Sequence, residues 1–227
     1  MTAQADSLLY GWCARALGRL GADVRIREHA ENSVRALGPA RVFAAPMCDA
    51  PAISFAHGLR AHAGPPCACI EVEGVPNLLH ELVHVMLAGR LDDDHGFDYQ
   101  AIPYDLQRAD GRAVLWNELS ACVVSCAYLL PAAPDAGHWA RVDAWFDEQL
   151  GIQPVFYGRE HDAAQFFAEL PARTHAWADE LARVTTVAYD RCAALLRWAG
   201  APDEVAEVAT RLDFAALWQR RACGVAA

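Results

Sequence analysis

The chain contains the stretch Val75-Pro-Asn-Leu-Leu-His-Glu-Leu-Val-His-Val-Met-Leu-Ala-Gly89, which we expect to form the helix around which the fold is organised. Pro76 suits the first turn of a helix, and Gly89 suits the position just after the last turn. Between them the segment is apolar on nearly every side, which predicts a buried helix.

Within this helix, His80, Glu81 and His84 form the motif H-E-x-x-H. Two histidines four residues apart lie on one face of a helix, so both imidazoles can bind one divalent metal ion. Glu81 lies beside the first histidine, where its carboxylate can reach a water on that ion, as in zinc-dependent hydrolases. The alternative is a chance match, with both histidines hydrogen-bonded to backbone in the core. We prefer the metal because burial of these polar groups is costly without a partner.

A catalytic zinc site needs a third protein ligand and an open position. Residues 112–130 form a second apolar segment of helical character, in which Glu118 is a lone carboxylate. A cation held by the neighbouring helix would satisfy it, so Glu118 is the preferred third ligand. His95 and Asp98 remain alternatives, because a catalytic site accepts either imidazole or carboxylate. Zinc is the expected ion, with iron or manganese also open for a site of this composition.

With these two motifs in place, the chain resembles the gluzincin group of metallopeptidases. Members carry H-E-x-x-H on one helix and N-E-x-x-A, or a close variant, on a later helix. Here Asn117-Glu118 with Ala121 matches the second pattern. The resemblance implies zinc, a β-sheet before the metal-binding helix, Glu118 as third ligand and Glu81 as general base.

The segment of residues 92–104 joins the two predicted helices and carries polar side chains that can overhang the open metal position. A histidine or tyrosine there can donate a hydrogen bond to a developing oxyanion. The three candidates for this catalytic role are His95, Tyr99 and Tyr104. His138 and Tyr157 are weaker candidates.

Composition limits the partners. The net charge of −10 over 227 residues argues against nucleic acid or an anionic membrane as the main partner. All 19 basic residues are arginines, which excludes a lysine Schiff base and the lysine of a phosphate-binding P-loop. No signal peptide or membrane span is recognisable, and eight cysteines fit a reduced compartment, so a cytoplasmic protein is expected. The oligomeric state stays open.

The predicted fold class is α+β, as one zincin-like domain over residues 1–227. Residues 1–74 are expected to contain a small β-sheet, residues 75–130 the metal-site helices and their loop, and residues 131–227 a helical remainder. The expected strands are 23–28 and 69–73, with shorter candidates at 42–45 and 53–55. Helices are expected at 7–20, 138–150, 161–170, 172–198 and 202–221, with a loop or short strand at 151–158.

These features together predict a zinc-dependent hydrolase of peptide or amide bonds, acting on a peptide or small-molecule substrate. Glu81 is expected to take a proton from the attacking water and deliver it to the leaving amine. One alternative is a metal-dependent enzyme of small-molecule biosynthesis that performs a non-hydrolytic step, such as elimination or cyclisation. Another is a non-catalytic binding module stabilised by a metal.

Overall fold

The computed structural model describes residues 3–28, 32–44, 55, 57–96, 109–157 and 176–224. Helices and strands are both present, so the α+β class predicted from the sequence is confirmed. In chain order the elements are α1 (Ala3–Leu20), β1 (Ala22–Ile26), β2 (Ser33–Ala36), β3 (Arg41–Val42), β4 (Ala68–Val72), α2 (Val75–Ala88), β5 (Arg90–Leu91), a 3-10 turn (Asp93–Gly96), α3 (Ala109–Tyr128), α4 (Ala136–Tyr157), α5 (Ala176–Trp198), α6 (Asp203–Ala206) and α7 (Phe214–Gly224).

A small sheet precedes the central helix, as expected; it has three strands, of which β2 was not predicted. Its strand order is β1-β4-β2, with β1 parallel and β2 antiparallel to β4. The middle strand β4 has one face made of Ala68, Ile70 and Val72, which are fully buried. Only two residues separate β4 from α2, so the sheet leads directly into the helix that carries the H-E-x-x-H motif. A second, two-stranded sheet pairs β3 with β5 in antiparallel orientation just after that helix.

Helix α2 is the centre of the core, as its apolar sequence predicts. Every residue from Leu78 to Leu87 is buried. The helix packs against α1, α3, α5 and the strand β4. It ends where Gly89 adopts a left-handed conformation (φ 67°) and donates its backbone N–H to the carbonyl of Val85, which is a common C-terminal cap.

The loop predicted at residues 151–158 is wrong for residues 151–157, because α4 continues through Gly151 to Tyr157. Pro154 lies inside this last part of the helix. A proline removes only its own N–H and crowds one carbonyl four residues earlier. Residues on both sides of this proline are helical.

The single helix predicted over residues 202–221 is also wrong, because the chain forms α6, an irregular segment and then α7. The hydroxyl of Tyr189 on α5 accepts the backbone N–H of Leu212 and donates to its carbonyl, at 3.0 and 3.1 Å. The carboxylate of Asp213 then accepts the N–H of Ala216 at 2.7 Å and begins α7. These tertiary and capping bonds replace the helical ones.

Other predictions concern single segments. Phe55 is helical, not extended, whereas residues 45 and 53–54 of the short strand candidates lie outside the described residues. The same holds for the helix predicted at 161–170 and for residues 172–175 of the next helix. The seven cysteines within the described residues are free thiols. In that same part of the chain, none of the helices combines the length and apolar character that a membrane crossing requires.

Candidate metal centre

The centre lies between α2 and α3, and both helices are fixed on either side of it. Helix α3 packs against α2 and α5. Its contact with α5 includes a hydrogen bond between Ser120 and Thr185 (3.0 Å) and one from the indole N–H of Trp116 to Glu180 (2.8 Å). A helix held in this way presents successive side chains to a neighbour in a reproducible orientation.

Three ligand atoms meet at this interface. His80 and His84 of α2 and Glu118 of α3 place one potential ligand atom each within 4.8 Å of the others. The two Nε2 atoms are 2.8 Å apart, and Oε2 of Glu118 lies 3.5 Å from the first and 3.4 Å from the second. All three residues are buried. Ligands about 2.0–2.1 Å from a tetrahedral zinc ion lie about 3.3 Å from one another, so the two carboxylate distances already suit an ion.

Contacts within the cluster shift the pKa values of His84 and Glu118. Burial opposes the charged form of His84, but the charge and hydrogen bond of Glu118 outweigh burial and raise the pKa of His84 to about 9. The pKa of Glu118 is correspondingly held well below its usual range by the two histidines, although burial acts in the opposite direction. The 2.8 Å separation of the two Nε2 atoms is a hydrogen-bond distance, and this bond has to give way when both nitrogens bind an ion.

Asn117 orients His84, one of the three potential ligands. Its Oδ1 lies 2.7 Å from Nδ1 of His84 and accepts the hydrogen of that nitrogen. With the hydrogen on Nδ1, the lone pair of Nε2 is available to an ion on the opposite side of the ring. Asn117 and Glu118 are neighbours on α3, so one turn of this helix serves both nitrogens of His84.

Glu81, the predicted general base, contacts His95 and not a ligand histidine. Its Oε2 accepts a hydrogen bond from Nε2 of His95 at 2.9 Å. Burial disfavours the carboxylate, but the bond from His95 and the nearby charge of His84 lower the pKa of Glu81. The pKa of His95 is also lowered, in this case by burial. The pair therefore consists of an ionised carboxylate and a neutral imidazole, which leaves Glu81 able to accept a proton.

The donor set fits a divalent ion on chemical grounds. Two imidazole nitrogens and one carboxylate oxygen are ligands of catalytic zinc sites, and three protein ligands leave a fourth position open. The buried Nδ1 of His80 has no hydrogen-bond partner among the described residues. An imidazole that carries its hydrogen on Nδ1 directs the lone pair of Nε2 into the cluster. The His80–His84–Glu118 group can therefore hold a metal ion.

Of the other predicted site residues, His95 lies beside the cluster and is bonded to Glu81, while its ring stacks on that of His84 at 4.9 Å between centroids. The group of potential ligands contains Glu118 and not His95. Asp98, Tyr99 and Tyr104 lie outside the described residues. His138 is bonded to the carboxylate of Asp135 at the start of α4 (2.6 Å), and Tyr157 ends that helix.

The roles of two residues at the site, Asn117 and Trp145, were not predicted from the sequence. Asn117 was recognised only as part of a motif, although its position next to Glu118 on the same helix was a usable signal. Trp145 of α4 packs edge-on against His80, with ring centroids 6.1 Å apart. Its indole N–H donates to the hydroxyl of Ser125 on α3 at 2.8 Å. No local pattern indicates a contact between residues so far apart in sequence.

Comparisons with protein-family models, curated proteins and solved structures find no match to this chain. What is known of its site therefore comes from its own residues.

Proposed function

We propose that the protein is a zinc-dependent hydrolase of peptide or amide bonds with a zincin-like domain and a site of gluzincin type. The observation that carries the proposal is the buried His80–His84–Glu118 group with the carboxylate of Glu81 one residue away from the first ligand. A purely structural site normally closes all four positions with protein ligands and needs no base beside it. The described residues supply three ligands and such a base.

A bound zinc ion supplies a Lewis acid for the substrate carbonyl and lowers the pKa of the attacking water. His80, His84 and Glu118 would hold the ion. Glu81 is ionised at neutral pH and accepts the proton of the water, then returns it to the leaving amine. The apolar residues that surround these groups on α2 and α3 keep bulk water away, which strengthens each electrostatic contact.

The decisive experiment combines metal analysis with the variant Glu81→Gln. Purified native protein, loaded with zinc, is expected to hold one ion per chain and to cleave members of a library of internally quenched peptides. Glu81→Gln retains size and hydrogen-bonding ability but loses basicity. It should keep the ion and the fold, yet lose turnover by a factor of about a hundred or more.

The alternatives give different results in the same experiment. A variant Glu81→Gln that retains native turnover contradicts proton transfer by Glu81. A protein that binds zinc tightly but cleaves no peptide or amide contradicts the hydrolase. That result would favour the non-hydrolytic enzyme or the metal-stabilised binding module.

A further inference from the structure

The chain between β5 and the end of the 3-10 turn adopts an unusual backbone conformation. Asp94 and His95 have positive φ angles of 43° and 58°, and they are the two non-glycine residues with positive φ in the described part of the chain. Residues with a Cβ atom rarely adopt this left-handed region because Cβ crowds the backbone. Two consecutive residues in it indicate that the turn is maintained by contacts that require it.

Asp93, the residue before these two, connects the turn to the sheet. The carboxylate oxygen Oδ1 of Asp93 accepts the backbone N–H of Ala36, at the end of β2, at 2.7 Å. The backbone N–H of His95 also bonds to the carbonyl of Asp92 at 3.3 Å. The turn is therefore fixed on its outer side by β2, while the side chain of His95 is directed inward.

That inward side chain is His95, and its surroundings are specific. It is 5% exposed, its ring stacks on His84, and its Nε2 donates to Oε2 of Glu81. A carboxylate has two oxygens, so Glu81 can accept this bond on Oε2 and still use Oε1 toward a water. Hydrogen bonding on one oxygen restricts rotation of the carboxylate and the side chain that carries it.

We propose that His95 is a positioning residue, held in place by the left-handed turn, that fixes the carboxylate of Glu81 in the orientation needed for proton transfer. This role differs from that of an oxyanion donor or a metal ligand, because His95 acts through Glu81. It rests on the proposed function, in which Glu81 is the base. Displacement of a catalytic group by about 1 Å can lower the reaction rate by up to about a hundredfold.

Two substitutions of His95 separate positioning from a structural role. The amide nitrogen of glutamine can occupy the place of Nε2, so His95→Gln keeps a donor for Glu81. Asparagine is too short to reach Glu81 but tolerates a positive φ well, so His95→Asn should preserve the turn and remove the bond. Both substitutions remove the ring that stacks on His84, so only the bond to Glu81 differs between them. Both variants are expected to keep one zinc ion per chain and a native circular dichroism spectrum.

Turnover of internally quenched peptides by the zinc-loaded variants provides the first measurement. His95→Asn should lower kcat about ten- to a hundredfold with little change in KM, and His95→Gln should restore most of the loss. In a Glu81→Gln background, His95→Asn should cause no further loss, since the group that it orients has already lost its basicity. Native turnover by His95→Asn, independent losses in the double variant, or loss of zinc from His95→Asn would each overturn the proposal.

Nuclear magnetic resonance tests the bond without an activity assay. Protein labelled with ¹⁵N-histidine should show an exchange-protected Nε2–H signal of His95, which is absent in His95→Asn and shifted upfield in Glu81→Gln. A spectrum in which the His95 signal does not respond to Glu81→Gln would overturn the proposal. If the native protein cleaves no peptide, the proposed function fails, and this signal alone decides whether His95 orients Glu81.

Discussion

At the scale of single residues, the centre depends on which nitrogen of each histidine carries hydrogen. Asn117 accepts from Nδ1 of His84, and Glu118 faces Nε2 of the same ring. Adjacent residues of one helix thus determine the tautomer of one potential ligand and complete the group of three potential ligands. The carboxylate of Glu118 favours a positive charge on His84 and raises its pKa, because a buried carboxylate without a cation nearby is costly.

Removal of the third ligand should abolish stable metal binding. Glu118→Ala is expected to reduce the zinc content of purified protein from one ion per chain to below about one tenth of that, because two imidazoles alone do not complete a site. Glu180→Ala is a suitable control, since that carboxylate on α5 bonds to Arg112 and Trp116. Zinc content is measured by mass spectrometry of the metal. Full occupancy in Glu118→Ala would show that another residue is the third ligand.

The orienting role of Asn117 has its own test. Asn117→Leu leaves the Nδ1 hydrogen of His84 without an acceptor and should weaken zinc binding about 10- to 100-fold, the usual effect of removing a partner of a ligand histidine. Asn117→Asp keeps an acceptor at the same place and should bind zinc at least as tightly as the native protein. Competition with a chromophoric chelator measures both affinities. Equal affinities of the two variants would contradict this role.

At the scale of elements, a buried helix and a strained turn together position the side chains of the site. Helix α2 is buried over ten consecutive residues, so its side chains have little freedom to move away from α3. The 3-10 turn that follows β5 brings His95 back over the same face of α2. The outer side of the turn is anchored by the bond from the backbone N–H of Ala36 to the carboxylate of Asp93.

The left-handed conformation at Asp94 predicts opposite tolerance to two small substitutions. Asp94→Gly suits a positive φ and should change the free energy of unfolding by less than about 1 kcal/mol, since relief of strain offsets the greater freedom of the unfolded chain. Asp94→Val places a β-branched residue there and should destabilise by about 1–2 kcal/mol or more. Urea denaturation measures both. Comparable stability of the two variants would show that the turn is not strained.

Prediction at this scale succeeded where the signal was local. The alternation of β1 and β4, and the proline and glycine at the two ends of α2, lie within the segments that they define. Prediction failed at residues 202–221, where the hydroxyl of Tyr189 takes both backbone groups of Leu212. A bond between α5 and a distant segment has no trace in the local pattern of that segment.

At the scale of the whole molecule, the cluster links stability to pH. In the metal-free protein the pKa of His84 is raised to about 9 from 6.5. A raised pKa contributes stability that is fully present below about pH 6.5 and is lost as the pH rises toward 9. We therefore expect the melting temperature of metal-free protein to fall between pH 6.5 and 8.5, below the pH at which ordinary thiols ionise.

Zinc should reverse this trend, because the ion takes the place of the proton. Saturating zinc is expected to raise the melting temperature, and the gain should increase with pH as fewer protons compete for His84. Glu118→Gln removes the carboxylate that raises the pKa of His84, so its metal-free form should lose most of the pH dependence. Differential scanning fluorimetry across this range tests each point. Equal stability of the metal-free native protein at pH 6.5 and pH 8.5 would contradict the raised pKa of His84.

The sequence by itself determined the buried central helix, the strands β1 and β4 before it and the three candidate ligands, whereas β2 was not predicted. Apolar periodicity, a proline and a glycine at the helix ends, and the four-residue spacing of His80 and His84 are local, and a helix converts that spacing into a shared face. It also determined that Glu118 needs a partner, because a carboxylate in an apolar helix is costly to bury alone.

Only the tertiary structure decided which groups meet. The sequence leaves Glu118, His95 and Asp98 open as third ligand; Asp98 lies outside the described residues, and the packing of α3 on α2 brings Glu118 to the two histidines. The left-handed turn at Asp94 and His95 directs His95 to Glu81 instead. The physical reason is that these contacts join segments distant in sequence. Their geometry depends on how whole helices pack and on backbone angles that no side-chain pattern encodes.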